Sequence, residues 1–231
     1  MKKLLILIFI LAFTQLSFAQ KKSKKDYLVT LSTEYGNMYL VLFDETPKHK
    51  ANFIKLAEDG FYNGTLFHRI IDGFMIQGGD PNSKTAKPGD PLGNGDVGYT
   101  IPAEFNEKLF HKKGVIAAAR DNNPQKASSG CQFYIAQGKV YKEEDFEAVE
   151  RRIGRVVPEN YKQVYKTIGG IPHLDQNYTV YGQVIKGLEI IDTIAKQPRN
   201  EGDRPNKDIP MQVSVKKMRK KKITKEFGYT F

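Results

Sequence analysis

The chain reads as a mainly β protein, a closed β-barrel capped by helices. Short runs rich in β-branched and aromatic residues recur from Tyr27 to Lys217, and Gly, Pro and Asn clusters separate them, the pattern of an all-β barrel. Two amphipathic helical segments, one early and one late, suit caps on that barrel. No internal repeat or low-complexity linker divides the chain. The roughly 210 residues beyond the N-terminal leader suit one domain with a sizeable core.

Residues 1–19 (MKKLLILIFILAFTQLSFA) read as a signal peptide. Lys2 and Lys3 form the positive n-region, Leu4 to Phe13 the apolar region, and Ser17-Phe18-Ala19 the small-x-small site, with cleavage before Gln20. The apolar run falls short of the ~20 residues that span a bilayer, so no stable membrane insertion is expected after cleavage; an uncleaved anchor is the rival reading. Residues 20–26 read as a flexible basic arm. Tyr27–Thr33 and Asn37–Phe43 are strands of an antiparallel hairpin. Thr46-Pro47 opens a helix with Thr as N-cap, Phe53, Ile54 and Ala57 share its apolar face, and Gly60 ends it. The runs LFHRII, GFMIQGG, GVIAAAR, CQFYIAQ, YTVYGQVI and PMQVSVKK supply further strands. Gly187–Lys196 is the second capping helix. Between two strands, at about 139–170, sits a helical insertion. There Glu143–Arg152 is helical, and Tyr161, Val164, Tyr165 and Ile168 make an i, i+3, i+4, i+7 stripe.

The formal charge is +10, and much of the excess sits in KKMRKKKITK (Lys216–Lys225). That run reads as a solvated basic end to the last strand within a basic C-terminal tail, 216–231. Export argues against a nucleic-acid partner. Cys131 is the single cysteine, so no internal disulfide forms. The four histidines stand alone, without CxxC or HExxH, which argues against a metal site. The Gly-rich run Gly78–Gly98 lacks GK[ST] and reads as a long surface loop rather than a phosphate loop.

The segment FHRIIDGFMIQGGDP (Phe67–Pro81) gathers an imidazole, a guanidinium and an amide among Phe, Ile and Met, yet offers no nucleophile. In CQFYIAQ, strand alternation puts Cys131, Phe133 and Ile135 on a core face, and Gln132, Tyr134 and Ala136 on an exposed one. That second face has the make-up of a binding floor or of an ordinary half-buried strand.

FHRIIDGFMIQGGDP, followed in order by GVIAAAR, SSGCQFYI and HLDQNYTVYGQV, resembles the cyclophilin-type peptidyl-prolyl cis-trans isomerases over Tyr27 to Val215. The resemblance implies an eight-stranded antiparallel barrel with two capping helices, isomerase activity on proline-containing polypeptides, and no cofactor. It implies Arg69 and Gln77 as catalytic residues. For substrate binding it implies His68, Phe74, Met75, Ala119, Arg120, Gln132, Tyr134, His173, Leu174 and Tyr178. Asp72 stands where Pro is common, Arg120-Asp121 replace a small Asn-Ala pair, and His173 replaces a Trp on which the family's cyclosporin binding leans. Weak cyclosporin binding is therefore expected. The expected function is X-Pro isomerisation in exported proteins, in the periplasm. The alternative is a catalytically weak peptide-binding or chaperone scaffold of the same fold.

Overall fold

The computed structural model describes residues 23–231. The expected signal peptide and the first residues of the arm lie outside them. In chain order the elements are β1 (Lys25–Thr33), β2 (Gly36–Leu42), α1 (Pro47–Glu58), β3 (Phe67–Ile71), β4 (Met75–Gly78), β5 (Thr100–Ile101) and β6 (Val115–Ala118). Then follow β7 (Ser128–Ser129), β8 (Phe133–Ala136), α2 (Asp145–Ile153), α3 (Glu159–Thr167), β9 (Val180–Lys186), α4 (Leu188–Ala195), β10 (Gln212–Arg219) and α5 (Lys220–Phe227).

Eight strands make one antiparallel sheet in the order β10-β1-β2-β9-β6-β8-β4-β3, and β5 pairs only with β7. The sheet curls, but no ladder joins β3 to β10. The seam is a single bridge between Leu66 and Pro210, flanked by hydrogen bonds from Phe67 N–H to Ile209 O (3.0 Å) and from Met211 N–H to Thr65 O (2.9 Å). The closed barrel is thus replaced by a curled sheet with a seam. Pro210 has no N–H to extend a ladder there.

The inner face of the curl holds the main core. Phe53, Tyr62, Phe67, Phe133 and Tyr181 meet Val29, Leu31, Leu40, Ile70, Ile76, Ile116 and Ile135. Two helices close on this core, α1 with Phe53, Ile54, Leu56 and Ala57, and α4 with Ile191, Ile194 and Ala195. Thr46 precedes α1, but its side chain makes no cap bond. The carboxylate of Glu104 does this instead, accepting from the N–H groups of Lys48 (3.1 Å) and His49 (3.0 Å).

Two regions differ from the sequence expectation in order and packing. The arm is shorter than 20–26, because Lys25 and Asp26 already pair with Arg219 and Met218. The basic end is not a solvated tail. It continues as β10 and folds into α5, whose Ile223 is fully buried against Leu28, Val41 and Met218. Between β8 and β9, helices α2 and α3 enclose a small core of Tyr141, Phe146, Val157, Tyr161 and Tyr165. Of the expected stripe, Tyr161 and Tyr165 are buried, whereas Ile168 lies past the end of α3 and is 48% exposed.

Candidate active site

Register lines up the site. Arg69 on β3 pairs with Gln77 on β4, Gln77 with Tyr134 on β8, and Tyr134 with Ala117 on β6. Paired positions project to the same side of a sheet, so four strands place one row across the outer face. The alternation read from CQFYIAQ is what the core shows: Cys131, Phe133 and Ile135 face the inner core, and Tyr134 and Ala136 a second cluster with Met75 and Val180. That second face is covered rather than exposed, with Tyr134 5% and Gln132 7% accessible. Leu174 and Tyr178 cover the face at Tyr134, and the 93–95 loop meets Gln132.

A cleft of about 140 Å³ opens between row and cover. It brings together Arg69, Phe74, Met75, Gln77, Ala119, Arg120, Tyr134, Leu174 and Tyr178. One side is apolar; the other carries two guanidinium groups. Three expected residues lie outside it. Gln132 is one step away, accepting from Gln77 Nε2 at 3.1 Å and donating to the carbonyls of Gly93 (2.8 Å) and Gly95 (2.7 Å). His173 backs the cleft, its ring stacked on Phe74 at 5.8 Å. His68 lines an adjoining polar cavity that shares Arg69, Gln77 and Arg120 with the cleft and adds Gly93, Asn94, Asn200 and Arg204.

The electrostatics follow from burial. Burial pushes the imidazoles of His68 and His173 down to about 4. Neither nitrogen of His68 has a hydrogen-bond partner among the described residues. Arg69 keeps a half-exposed side chain, and its Nε lies 3.5 Å from Asp203 Oδ2. Its terminal nitrogens have no partner among the described residues. Arg120 is pinned, with Nε and Nη2 on the main-chain and side-chain oxygens of Asn177 (3.1 and 3.0 Å) and its guanidinium 4.7 Å from the Tyr178 ring centroid.

Two acids of the Phe67–Pro81 motif, the departure Asp72 and the matching Asp80, have partners in the structure. Asp72 sits in the β3–β4 turn, where its carboxylate accepts from Gln137 Nε2 at 3.0 Å. The same Gln137 accepts from Gly73 N–H at 2.6 Å, and Gly73 has φ 77°. The turn is thus held by a side-chain clamp. Asp80, the acid that ends the run, is fully buried and accepts from Gly93 N–H at 2.5 Å. It shapes the 93–95 loop that Gln132 holds.

Asp175 and Asn177 lie within the matching run HLDQNYTVYGQV, but no role was assigned to them from sequence, and Asp203 and His111 were not singled out as site residues. Their partners lie far away along the chain, so no periodic signal marks the pairs. Among the described residues no cluster of His, Cys, Asp and Glu is arranged to hold a metal ion.

The family model described as cyclophilin type peptidyl-prolyl cis-trans isomerase/CLD matches residues 28–215. The peptidyl-prolyl cis-trans isomerase-like 3 of Gallus gallus is 37% identical over 189 residues, 78% of this chain and 90% of that one. A longer Streptococcus pyogenes chain, named for both phosphatase and peptidyl-prolyl cis-trans isomerase functions, is 36% identical over 205 residues. Those are 86% of this chain, which spans only 40% of that relative. A cyclophilin type peptidyl-prolyl cis-trans isomerase of Cryptosporidium parvum, crystallised in the presence of the dipeptide Ala-Pro, superposes with a TM-score of 0.59 at 25% identity. The superposition covers 82% of this chain and 98% of that one. With the motif, the fold and the cleft in agreement, the chain belongs to the cyclophilin-type peptidyl-prolyl cis-trans isomerase family.

Proposed function

We propose that the protein accelerates X-Pro rotation in exported, periplasmic polypeptides, and that the cleft does so by favouring the twisted amide. The observation that carries this reading is the guanidinium of Arg69 at the edge of an apolar cleft, with its terminal nitrogens free of partners among the described residues. Export is supported by the leader Lys2 to Ala19.

The reaction makes and breaks no covalent bond. Its barrier, ~18–20 kcal/mol, is the amide resonance lost as the C–N bond turns, and unaided rotation takes tens to hundreds of seconds. Phe74, Met75, Tyr134 and Leu174 grip the proline ring, which leaves the preceding carbonyl free to turn. As the bond twists, the proline nitrogen becomes pyramidal and regains a lone pair. Arg69 donates to that nitrogen, or to the turning carbonyl, more strongly than in the planar ground state. This is differential binding of the transition state. Arg suits the task because it stays charged and holds its donors in a rigid fork.

Gln77 makes its hydrogen bond to Gln132, not to Arg69, so the orienting of Arg69 falls to Asp203. The N–H and carbonyl of Ala119 are already bonded to Gln132 O (3.0 Å) and Ser129 N–H (2.8 Å). Gripping the peptide main chain therefore rests on Arg120 and its neighbours. The pinned Arg120 in the cleft wall is what favours the second reading, a scaffold that binds peptide without turnover.

A protease-coupled assay on an X-Pro peptide separates the two readings. Arg69→Ala should lower kcat/KM well over tenfold, each tenfold being ~1.4 kcal/mol of transition-state stabilisation; an unchanged rate refutes the role. Cyclosporin should inhibit weakly, because His173 lies stacked on Phe74 where the family has an indole. A nanomolar inhibition constant would sink that expectation.

A further inference from the structure

Behind the cleft floor runs a chain of buried polar groups that the reaction as described does not use. Tyr134 Oη lies 2.9 Å from His111 Nε2, and His111 Nδ1 lies 3.0 Å from Asp175 Oδ1. The hydroxyl of Tyr165, on α3, donates to Asp175 Oδ2 at 2.7 Å. The N–H of His111 donates to Asp175 Oδ1 as well, at 2.7 Å. All four side chains are buried, His111 and Tyr165 completely.

The donors run in one direction. A carboxylate only accepts, so Nδ1 of His111 carries the hydrogen. In the neutral ring Nε2 then accepts, and the Tyr134 hydroxyl donates to it, inward and away from the cleft. Buried polar groups are costly unless each is satisfied, and here every member has its partner. The bond at the far end of the Tyr134 ring fixes the tilt of the surface that the ring presents to the cleft. Asp175 also follows Leu174, which lines the opposite wall. Arg155, from the connection between α2 and α3, donates to the Asp175 carbonyl at 2.8 Å.

We propose that His111 and Asp175 are positioning residues that hold Tyr134 in the proline pocket, and that Tyr165 ties α3 into the same chain. The two-helix segment 145–167 thereby sets the shape of the pocket. This inference rests on the isomerase reading for its kinetic test, and a second measurement tests it without turnover.

The kinetic test is a double-mutant cycle on the full chain, read as kcat and KM for an X-Pro peptide. Tyr165→Phe removes one hydroxyl and keeps the ring; it should lower kcat/KM about threefold, chiefly through KM, because residues in one hydrogen-bond network couple. In the Tyr134→Phe background, where the chain is already cut, Tyr165→Phe should change kcat/KM less than about 1.3-fold. Equal losses in both backgrounds, or no loss in either, would overturn the proposal, since a merely structural hydroxyl acts regardless of residue 134. The second measurement is the imidazole nitrogen spectrum of the unaltered chain, which stands even if the variants fail to fold. His111 should be the Nδ1–H tautomer, and its Nε2 resonance should shift when the X-Pro peptide saturates the cleft. An Nε2–H tautomer, or an Nε2 resonance indifferent to bound peptide, would overturn it. A chain that binds peptide without turnover refutes the isomerase reading alone, and the spectrum still decides this one.

Discussion

Arg69 shows how a local motif and a distant partner divide one task. The motif places the guanidinium on β3 beside Gln77, but the group that holds it is Asp203, at 3.5 Å. Asp203 sits at φ 64°, a conformation Asn also tolerates. Asp203→Asn should therefore keep the backbone and release Arg69. An exposed pair contributes about 0–1 kcal/mol, so kcat/KM should fall by up to about fivefold. Steady-state kinetics check this, and a loss as large as that of Arg69→Ala would mean that Asp203 does more than orient. His68, beside Arg69 in sequence, is a buried neutral imidazole lowered to about 4 by burial. Its unfolded value is about 6.5. Between those values the unfolded chain binds the extra proton, so this residue's contribution to stability falls as pH drops from about 6.5 toward 4. His68→Gln should flatten that part of the acid dependence of Tm, as thermal melts from pH 7 to pH 4 would show.

At the scale of elements, the termini of the described chain lock each other. β1 lies between β10 and β2, and α5 folds back so that Ile223 and Phe227 cover Leu28, Val41 and Tyr39 on the outer face of the sheet. Lys220, at the start of α5, lies 3.2 Å from Asp44 and 3.5 Å from Asp26. The basic run is thus an amphipathic end whose cations are exposed, apart from Lys220, which turns in to Asp26 and Asp44. Ile223→Ala should cost about 2–5 kcal/mol, the usual range for a fully buried Ile, with little change in kcat/KM of the folded fraction. Urea unfolding measures the first and peptide turnover the second. A loss near zero would mean that α5 does not dock in solution. Helix α1 makes a related point. Its expected cap was Thr46, yet the acceptor for its first amides is Glu104, which also bonds His49 Nδ1 at 2.7 Å. Burial works against the Glu104 carboxylate, but the hydrogen bonds from His49 and the α1 amides hold it below the usual carboxylate range.

For the molecule as a whole, the sequence by itself determined what repeats or recurs locally. The β3–β4 motif, the alternation of Cys131, Phe133 and Ile135 against Tyr134, and the helices α1, α3 and α4 are legible because side-chain period and turn residues are properties of short segments. The family resemblance then named most of the cleft, since Phe74, Met75, Gln77, Leu174 and Tyr178 lie inside matching runs. The tertiary structure decided what depends on closing long loops. The seam at Leu66 and Pro210, the Glu104 cap on α1, the Asp203 contact to Arg69, and the chain from Tyr165 to Tyr134 each join residues far apart in sequence. No local pattern encodes such pairs, because what selects them is the need of each buried or half-buried polar group for a partner once the sheet has curled and brought the distant segments together.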